Sequence, residues 1–482
     1  MNNLIKTALN KYENNLFLES DSLSFTYKDV KDFCERIDEL SIDNQIIYSF
    51  FDRSIESALS LVSILYTDNI FCPLSLQWSE EKIVEILTSL GGVWIFMSSK
   101  EKTVIENIIK KHGFDMNVAE VNGTEINIKL VANRAKRDFP QNAGYVYSTS
   151  GSTGKPKCVL GRKDSLKMFV EWEKKEFSID ENRVFCNVTK PTFDPYLRDI
   201  ITPLISGAKI YIPDTAISLN SLALKRRITE NKVTDIHLVP SMFRKLSLTD
   251  TCVKNIYLAG EVLYGNDIVA YLGKPVNVVN LYGPTETTLA KFFHRCCEND
   301  FGKDVLPVGK PIDDTNCYID NDEIIIETNW GSLGYINHQS DDLVVVDEKR
   351  IRYFTKDRGF FDDNGDLIVL GRTNDSIKLL GEKVDLGKIT KSILENEFVT
   401  ECMAVGVNNG TRSYLLVAIA TAQPHSRARL AVLKKLKNDG VQMVPMKFYM
   451  EEELPKNENG KIDRNKIVQI FLNKNMGEKR WN

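Results

Sequence analysis

The 482-residue chain contains no run of about 18 apolar residues, so no membrane span is expected. Met1 to Tyr12 offers no charged segment followed by an apolar core, which argues against a secretory signal. Its five histidines show neither an HExxH pattern nor other metal-like spacing. No charge of one sign dominates: 62 Lys and Arg stand against 66 Asp and Glu, leaving no electrostatic case for nucleic acid. The nine cysteines are odd in number and scattered, and the one close pair, Cys296-Cys297, cannot form a CxxC motif. That usage fits a reducing cytoplasm. Internal repeats and long low-complexity segments are also missing, and lysine runs such as Lys434 to Lys437 read as solvated helix faces.

What is present is length enough for at least two domains and an alternation of helix-like and strand-like stretches, which predicts layered α/β architecture. Buried strands are expected at Ile46 to Phe51, Phe71 to Leu74, Val93 to Met97, Ala208 to Ile212, Asp235 to Val239, Asn255 to Ala259 and Val276 to Leu281. Helices are expected at Ile55 to Tyr66 and from Ser79, a Ser N-cap followed by Glu80 and Glu81, to Leu90. A smaller α+β region follows the Asp- and Gly-rich stretch Asp357 to Asp366. It holds strands near Ile377 to Leu380, Met403 to Val407 and Tyr414 to Thr421, helices at Leu386 to Phe398 and Arg427 to Asn438, and a polar tail. The expected division is residues 1–372 for the core and 373–482 for the small domain.

The most informative run is Ser148-Thr149-Ser150-Gly151-Ser152-Thr153-Gly154-Lys155-Pro156-Lys157. Two glycines let backbone N–H groups approach an anion, and the hydroxyls and lysines add donors and positive charge. It is not a Walker A loop: Thr149 stands where that pattern needs Gly, and Pro156 where it needs Ser or Thr. Tyr145, Val146 and Tyr147 before it, with Val159 and Leu160 after it, predict a strand, a tight loop and a second strand.

This run resembles the signature loop of the adenylate-forming superfamily, which includes nonribosomal-peptide adenylation domains, acyl-CoA synthetases and firefly luciferase. Further matches follow in the superfamily's order. Asn280-Leu281-Tyr282-Gly283-Pro284-Thr285-Glu286 resembles N-x-Y-G-P-T-E; by that resemblance Tyr282 stacks on adenine, Thr285 contacts the α-phosphate and Glu286 helps hold Mg²⁺. Tyr353-Phe354-Thr355-Lys356-Asp357 resembles Y-x-T-G-D with Lys356 in place of Gly, and implies that Asp357 accepts both ribose hydroxyls. Gly371-Arg372-Thr373-Asn374-Asp375-Ser376-Ile377-Lys378 resembles the hinge motif G-R-x-D-x-x-V-K: Arg372 would touch the nucleotide, and the hinge falls on Asn374 or Asp375. Leu454-Pro455 through Arg464 resembles L-P-x-x-x-N-G-K-x-D-R, which makes Lys461 the catalytic lysine. Leu306 to Ile312 and Gly334-Tyr335-Ile336-Asn337 are weaker matches, and Cys158 replaces a usual Gly.

The resemblance implies a site with Lys461, Thr153 and Glu286 as catalytic groups, Glu286 being also the metal ligand. Thr149, Ser150, Gly151, Ser152, Gly154, Lys157, Gly260, Glu261, Tyr282, Gly283, Thr285, Asp357 and Arg372 would surround ATP. Phe193-Asp194-Pro195 falls where amino-acid-activating members carry an Asp that pairs with the substrate ammonium. Pocket positions carried across are Asp194, Pro195, Arg198, His237, Tyr257, Ala259, Leu281, Leu289 and Ala290. Arg198 and His237 imply a carboxylate-binding wall, hence an acidic amino acid such as glutamate or aspartate. The expected activity is ATP- and Mg²⁺-dependent adenylation of that amino acid by a free-standing cytoplasmic ligase, then transfer to the phosphopantetheine thiol of a separate carrier protein, without nucleic-acid or membrane partners. Alternatives are an acyl-CoA ligase, a D-alanine–carrier protein ligase, and a non-catalytic nucleotide-binding scaffold.

Overall fold

The computed structural model describes residues 1–91, 94–113, 115–120, 126–132, 138–150, 156–218, 220–372, 376–379, 382–408, 413–438, 446–457 and 460–477. It divides into two compact units. The first is Met1–Asp320 with Ile325–Thr355 and Phe361–Ile368; the second is Asn321–Ile324, Lys356–Phe360 and Val369–Asn482.

Two large sheets build the first unit. In the nine-stranded sheet the strands run in space as Lys310–Pro311, Phe292–Arg295, Asn277–Tyr282, Asn255–Ala259, Asp235–Leu238, Val184–Cys186, Lys209–Tyr211, Leu16–Glu19 and Ser24–Thr26. The six from Asn277–Tyr282 to Leu16–Glu19 are parallel. Parallel neighbours require crossovers, which is why helices alternate with these strands in the chain. The eight-stranded sheet runs Gly334–Tyr335, Pro156–Arg162, Ala143–Ser150, Ile70–Pro73, Ile46–Ser49, Trp94–Ser98, Ile126–Ala132 and Asp115–Glu120.

Helices Ile55–Tyr66 and Pro195–Ser206 lie in one core with inward residues of both sheets: Ile47, Phe71 and Tyr145 from one, Phe185, Ile210 and Val279 from the other. Eleven of the twelve residues of Ile55–Tyr66 are buried, every one but Glu56, so this helix is apolar nearly all round rather than amphipathic. Its polar residues find partners inside. Ser54 caps it, and Ser57 Oγ meets Tyr196 Oη at 2.6 Å, tying it to the second helix. Each fully buried Leu or Ile contributes roughly 1.5–3 kcal/mol against exposure. The Ser79 cap also forms, Lys82 N donating to Ser79 Oγ at 3.3 Å at the head of Glu80–Leu90.

The second unit carries a three-stranded sheet in which Glu401–Asn408 pairs antiparallel with Ser413–Ala420, and the latter pairs parallel with Met446–Glu451. Both faces of Ser413–Ala420 are buried. Leu415, Val417 and Ile419 pack with Ile389, Ile393, Val432 and Leu436 of helices Leu386–Leu394 and His425–Asn438. Leu416 and Ala418 pack with Ile467 and Phe471 of helix Arg464–Gly477. The segment expected to be a polar tail is thus a strand and a helix, because a sheet with one face covered still needs the other closed.

Candidate active site

The signature run is carried by an antiparallel hairpin, Ala143–Ser150 with Pro156–Arg162, in which Thr149 pairs with Lys157 and Ser150 with Pro156. Gly151, Ser152, Thr153 and Gly154, with hinge candidates Asn374 and Asp375, lie outside the described residues. The return strand is held from its far side. Asn337 Oδ1 accepts from Cys158 N at 2.9 Å, and Asn337 Nδ2 donates to the Pro156 carbonyl at 2.9 Å. With Tyr335 opposite Val159, the weakly matching Gly334 to Asn337 segment clamps the strand that follows the signature run. Cys158 is fully buried beneath it, and burial pushes its thiol up to about 12, so it serves as packing and not as a nucleophile.

Tyr335 also joins the hairpin to the Tyr282–Glu286 segment. Its hydroxyl donates to Glu286 Oε1 at 2.7 Å, while Lys157 Nζ lies 5.5 Å from its ring centroid. Burial, and then the Glu286 carboxylate, raise the Tyr335 phenol above its ordinary range, so it stays a neutral donor. Glu286 is 6% exposed, and this neutral partner brings no compensating charge to it. A second tie runs from Tyr145 Oη to Thr288 Oγ1 at 3.0 Å. Gly161 makes room for it, since a Cβ there would sit 1.9 Å from the Tyr145 ring.

Beyond Glu286 the chain turns sharply, with Thr288 at φ 66° and Leu289 at φ 56°. Gly283 is required by this turn: a Cβ would lie 2.1 Å from the Leu289 carbonyl oxygen. Asn280, the first residue of the motif, is buried and donates through Nδ2 to the Pro307 carbonyl at 2.9 Å, which gives Leu306 to Ile312 its role.

Of the residues expected to line a pocket, His237, Tyr257, Ala259 and Leu281 lie on three neighbouring parallel strands. His237 is in register with Tyr257, and Ala259 with Leu281. Leu281, Leu289 and Ala290 are buried. Asp194 is buried at the N-cap of helix Pro195–Ser206, with Pro195 at its first turn. Its charge acts on the buried Tyr145 and Tyr147 phenols, which burial first and Asp194 second raise (the Thr288 hydrogen bond opposing in Tyr145). Gly260 adopts φ 90°, and the Glu261 carboxylate is engaged by Ser241 N at 2.8 Å and Ser241 Oγ at 3.0 Å, at the head of the short helix Pro240–Phe243.

Arg198 is 3% exposed and does not stand alone. Its Nε donates to Glu173 Oε1 at 2.7 Å, its Nη1 lies 3.7 Å from Asp199 Oδ1, and its guanidinium covers the Tyr257 ring at 4.5 Å. Glu173 is fully buried and also accepts from Thr202 Oγ1 at 2.6 Å. Burial would lower the guanidinium's affinity for its proton, but Glu173 and Asp199 outweigh it and hold Arg198 above its ordinary value. Asp199 lies 3.8 Å from His237 Nδ1, and burial raises its carboxyl to about 6 despite Arg198. Tyr147 Oη, Ser148 Oγ, Arg198 Nη1 and Asn187 Oδ1 are buried with no hydrogen-bond partner in the protein. Such groups cost about 1–3 kcal/mol each, a cost a bound ligand offsets.

In the second unit Asp357 is buried and Arg372 Nε lies 3.0 Å from its Oδ1. Lys356 has φ 59°, the left-handed conformation that its glycine counterpart would adopt freely. Lys461 is half-buried in a tight turn, where Asn457 N donates to Lys461 O at 2.7 Å and Lys461 N to Asn457 Oδ1 at 3.0 Å. Lys456 Nζ on Glu401 Oε1 at 2.6 Å anchors the turn to the sheet.

Glu173 and Tyr335 are the site residues that sequence reasoning missed. Glu173 sits in the charged run Glu171 to Glu176, yet Leu166, Phe169, Val170 and Phe177 share its face at helical spacing, a signal that it is buried.

Against known proteins, the profile of the family described as AMP-binding enzyme matches residues 5–333. Tyrocidine synthase 1 of Brevibacillus parabrevis is 23% identical over 454 residues, which cover 90% of this chain and 41% of that protein. The chain therefore spans less than half the length of that relative. A crystal structure of a four-domain nonribosomal peptide synthetase bound to AMP and glycine superposes with TM-score 0.76 at 18% identity, over 96% of this chain and 36% of that one. An anthranilate CoA ligase in complex with anthranoyl-AMP gives TM-score 0.78 at 15% identity, over 97% and 96%. At these identities the structures speak for a shared fold. Among the described residues no helix is long and apolar enough to cross a membrane.

Proposed function

The chain belongs to the AMP-binding enzyme family of adenylate-forming enzymes, and from that premise we propose that it activates an amino acid with ATP and passes it to the phosphopantetheine thiol of a separate carrier protein. The observation that carries the amino-acid reading is the buried Asp194 at the head of helix Pro195–Ser206. A buried carboxylate at the head of that helix is the group that pairs with a substrate's α-ammonium. In the first step an oxygen of the substrate carboxylate bonds to the α-phosphorus of ATP and the bond to pyrophosphate breaks. In the second a thiolate attacks the acyl carbon and AMP leaves with the electron pair.

Tyr282 and Thr285 are assigned to adenine and the α-phosphate, Asp357 with Arg372 to the ribose, and Thr149, Ser150 and Lys157 with the loop between them to the phosphates. Lys461 is assigned the cation that meets the charge built up in the transition state. Glu286 suits Mg²⁺, which takes one or two carboxylates and otherwise phosphate and water oxygens. Bound there, the ion would neutralise phosphate charge. An acidic substrate side chain rests on Arg198 offering its charge to the ligand. Glu173 and Asp199 already balance that charge, so the reading retained is an amino acid whose side chain is not acidic.

Exchange of labelled pyrophosphate into ATP across an amino-acid panel tests the proposal. At least one amino acid should support exchange, and Lys461→Ala should lower the rate by about a hundredfold or more. No exchange with any amino acid would end it. The shared fold with a CoA ligase makes the second thiol a separate question: thioester on a phosphopantetheinylated carrier and none on free CoA is the expected result.

A further inference from the structure

The strongest unexplained feature of the first unit is a buried charge cluster of Glu173, Arg198 and Asp199 beside Tyr257 and His237. Asp194 and Arg198 stand four residues apart on one helix, hence on one face and about 6 Å apart along its axis. That is the reach from an amino acid's ammonium to the end of a side chain of two or three carbons. Glu173 occupies the Nε and Nη2 edge of Arg198. The remaining Nη1 is a buried donor with no hydrogen bond, 3.7 Å from Asp199 Oδ1. On the other oxygen of Asp199, Asn187 Nδ2 donates at 3.4 Å, and Asn187 Oδ1 is a buried acceptor with no hydrogen bond.

We propose that this cluster selects an amino acid with an uncharged amide side chain, of the asparagine or glutamine class, over the corresponding acid. The proposal rests on the adenylation reading above. An amide carries both an acceptor, for Arg198 Nη1, and donors, for Asn187 Oδ1 or Asp199. A carboxylate offers acceptors alone. Charge points the same way: Arg198 and Glu173 cancel, Asp199 adds a negative charge when ionised, and a substrate carboxylate would bring another to these buried side chains. Glu173 acts here as a positioning residue, since it fixes the guanidinium and sets the charge of the wall without touching the substrate.

Amino-acid-dependent pyrophosphate exchange, read as kcat/KM for asparagine, glutamine, aspartate, glutamate, alanine and leucine, tests this. The wild-type enzyme should favour an amide over its matching acid by about tenfold or more. Glu173→Gln, which removes the balancing charge with little change of shape, should move the amide-to-acid ratio toward the acid by a similar factor. A general loss of packing would lower all substrates together and leave that ratio alone. If thermal melts show Glu173→Gln unfolded, Asp199→Asn should shift the ratio in the same direction. An unchanged ratio in a folded variant, or a wild-type preference for an acid, alanine or leucine, overturns the amide proposal while leaving adenylation standing. No exchange with any amino acid overturns both.

Discussion

Two buried glutamates lie in the same unit and are used in opposite ways. Glu286 is held by a neutral phenol, Tyr335, which brings no charge of its own to the pair. Glu173 is held by a guanidinium, so its charge is consumed within the protein. The chemistry of a carboxylate is set less by its own burial, 6% against 0% exposed, than by whether its hydrogen-bond donor is charged. One glutamate thus meets a neutral donor and the other a charged one.

Changing each glutamate separately should break the comparison. The largest effect is expected from Glu286→Gln, which keeps an acceptor for Tyr335 but removes the charge. Adenylation should fall by about a hundredfold or more with the melting temperature little changed, as loss of electrostatic stabilisation predicts. A rate near wild type would show that Glu286 holds no catalytic charge. Glu173 should behave in reverse. Glu173→Leu leaves the buried Arg198 with only the more distant Asp199 and should cost about 3 kcal/mol of stability, whereas the double change Glu173→Leu with Arg198→Met should recover most of it. Denaturant unfolding of the two singles and the double gives the coupling, and additive losses would mean that the pair is not the unit described here.

Asp199 sharpens the same contrast through pH. Its folded value of about 6 lies above the 3.8 of an ordinary Asp. The folded state therefore holds this proton where the unfolded chain has lost it, and the stabilisation so gained is lost as pH rises from about 4 to about 6. Relative to wild type, Asp199→Asn should remove roughly 3 kcal/mol of that pH-dependent change in unfolding measurements at fixed salt. A slope identical in both proteins would place the titration elsewhere.

The turn around Tyr282 to Glu286 was legible in the sequence because its residues sit in one contiguous run that imposes its own order. Gly283 and Tyr282 are neighbours in the chain as well as in space. The helix Ile55–Tyr66 was legible for a related reason: its apolar run and its Ser54 cap are both local. The charge cluster around Arg198 was not. Arg198 could be placed in the pocket wall, but its partner lies 25 residues earlier, in a run of charges that reads as a solvated surface. Only packing decides which glutamate of that run turns inward. The helix Arg464–Gly477 was hidden in the same manner, since Ile467 and Phe471 are diluted by Lys and Asn and acquire meaning only once the second face of the sheet must be covered.

Lys356 carries a lesson of a different order. A search written in letters would discard this chain at that position, because a long cationic side chain stands in a seat reserved for the smallest residue. A search written in dihedral angles would keep it. What the position holds is a bend in the ribbon, and here a lysine supplies it.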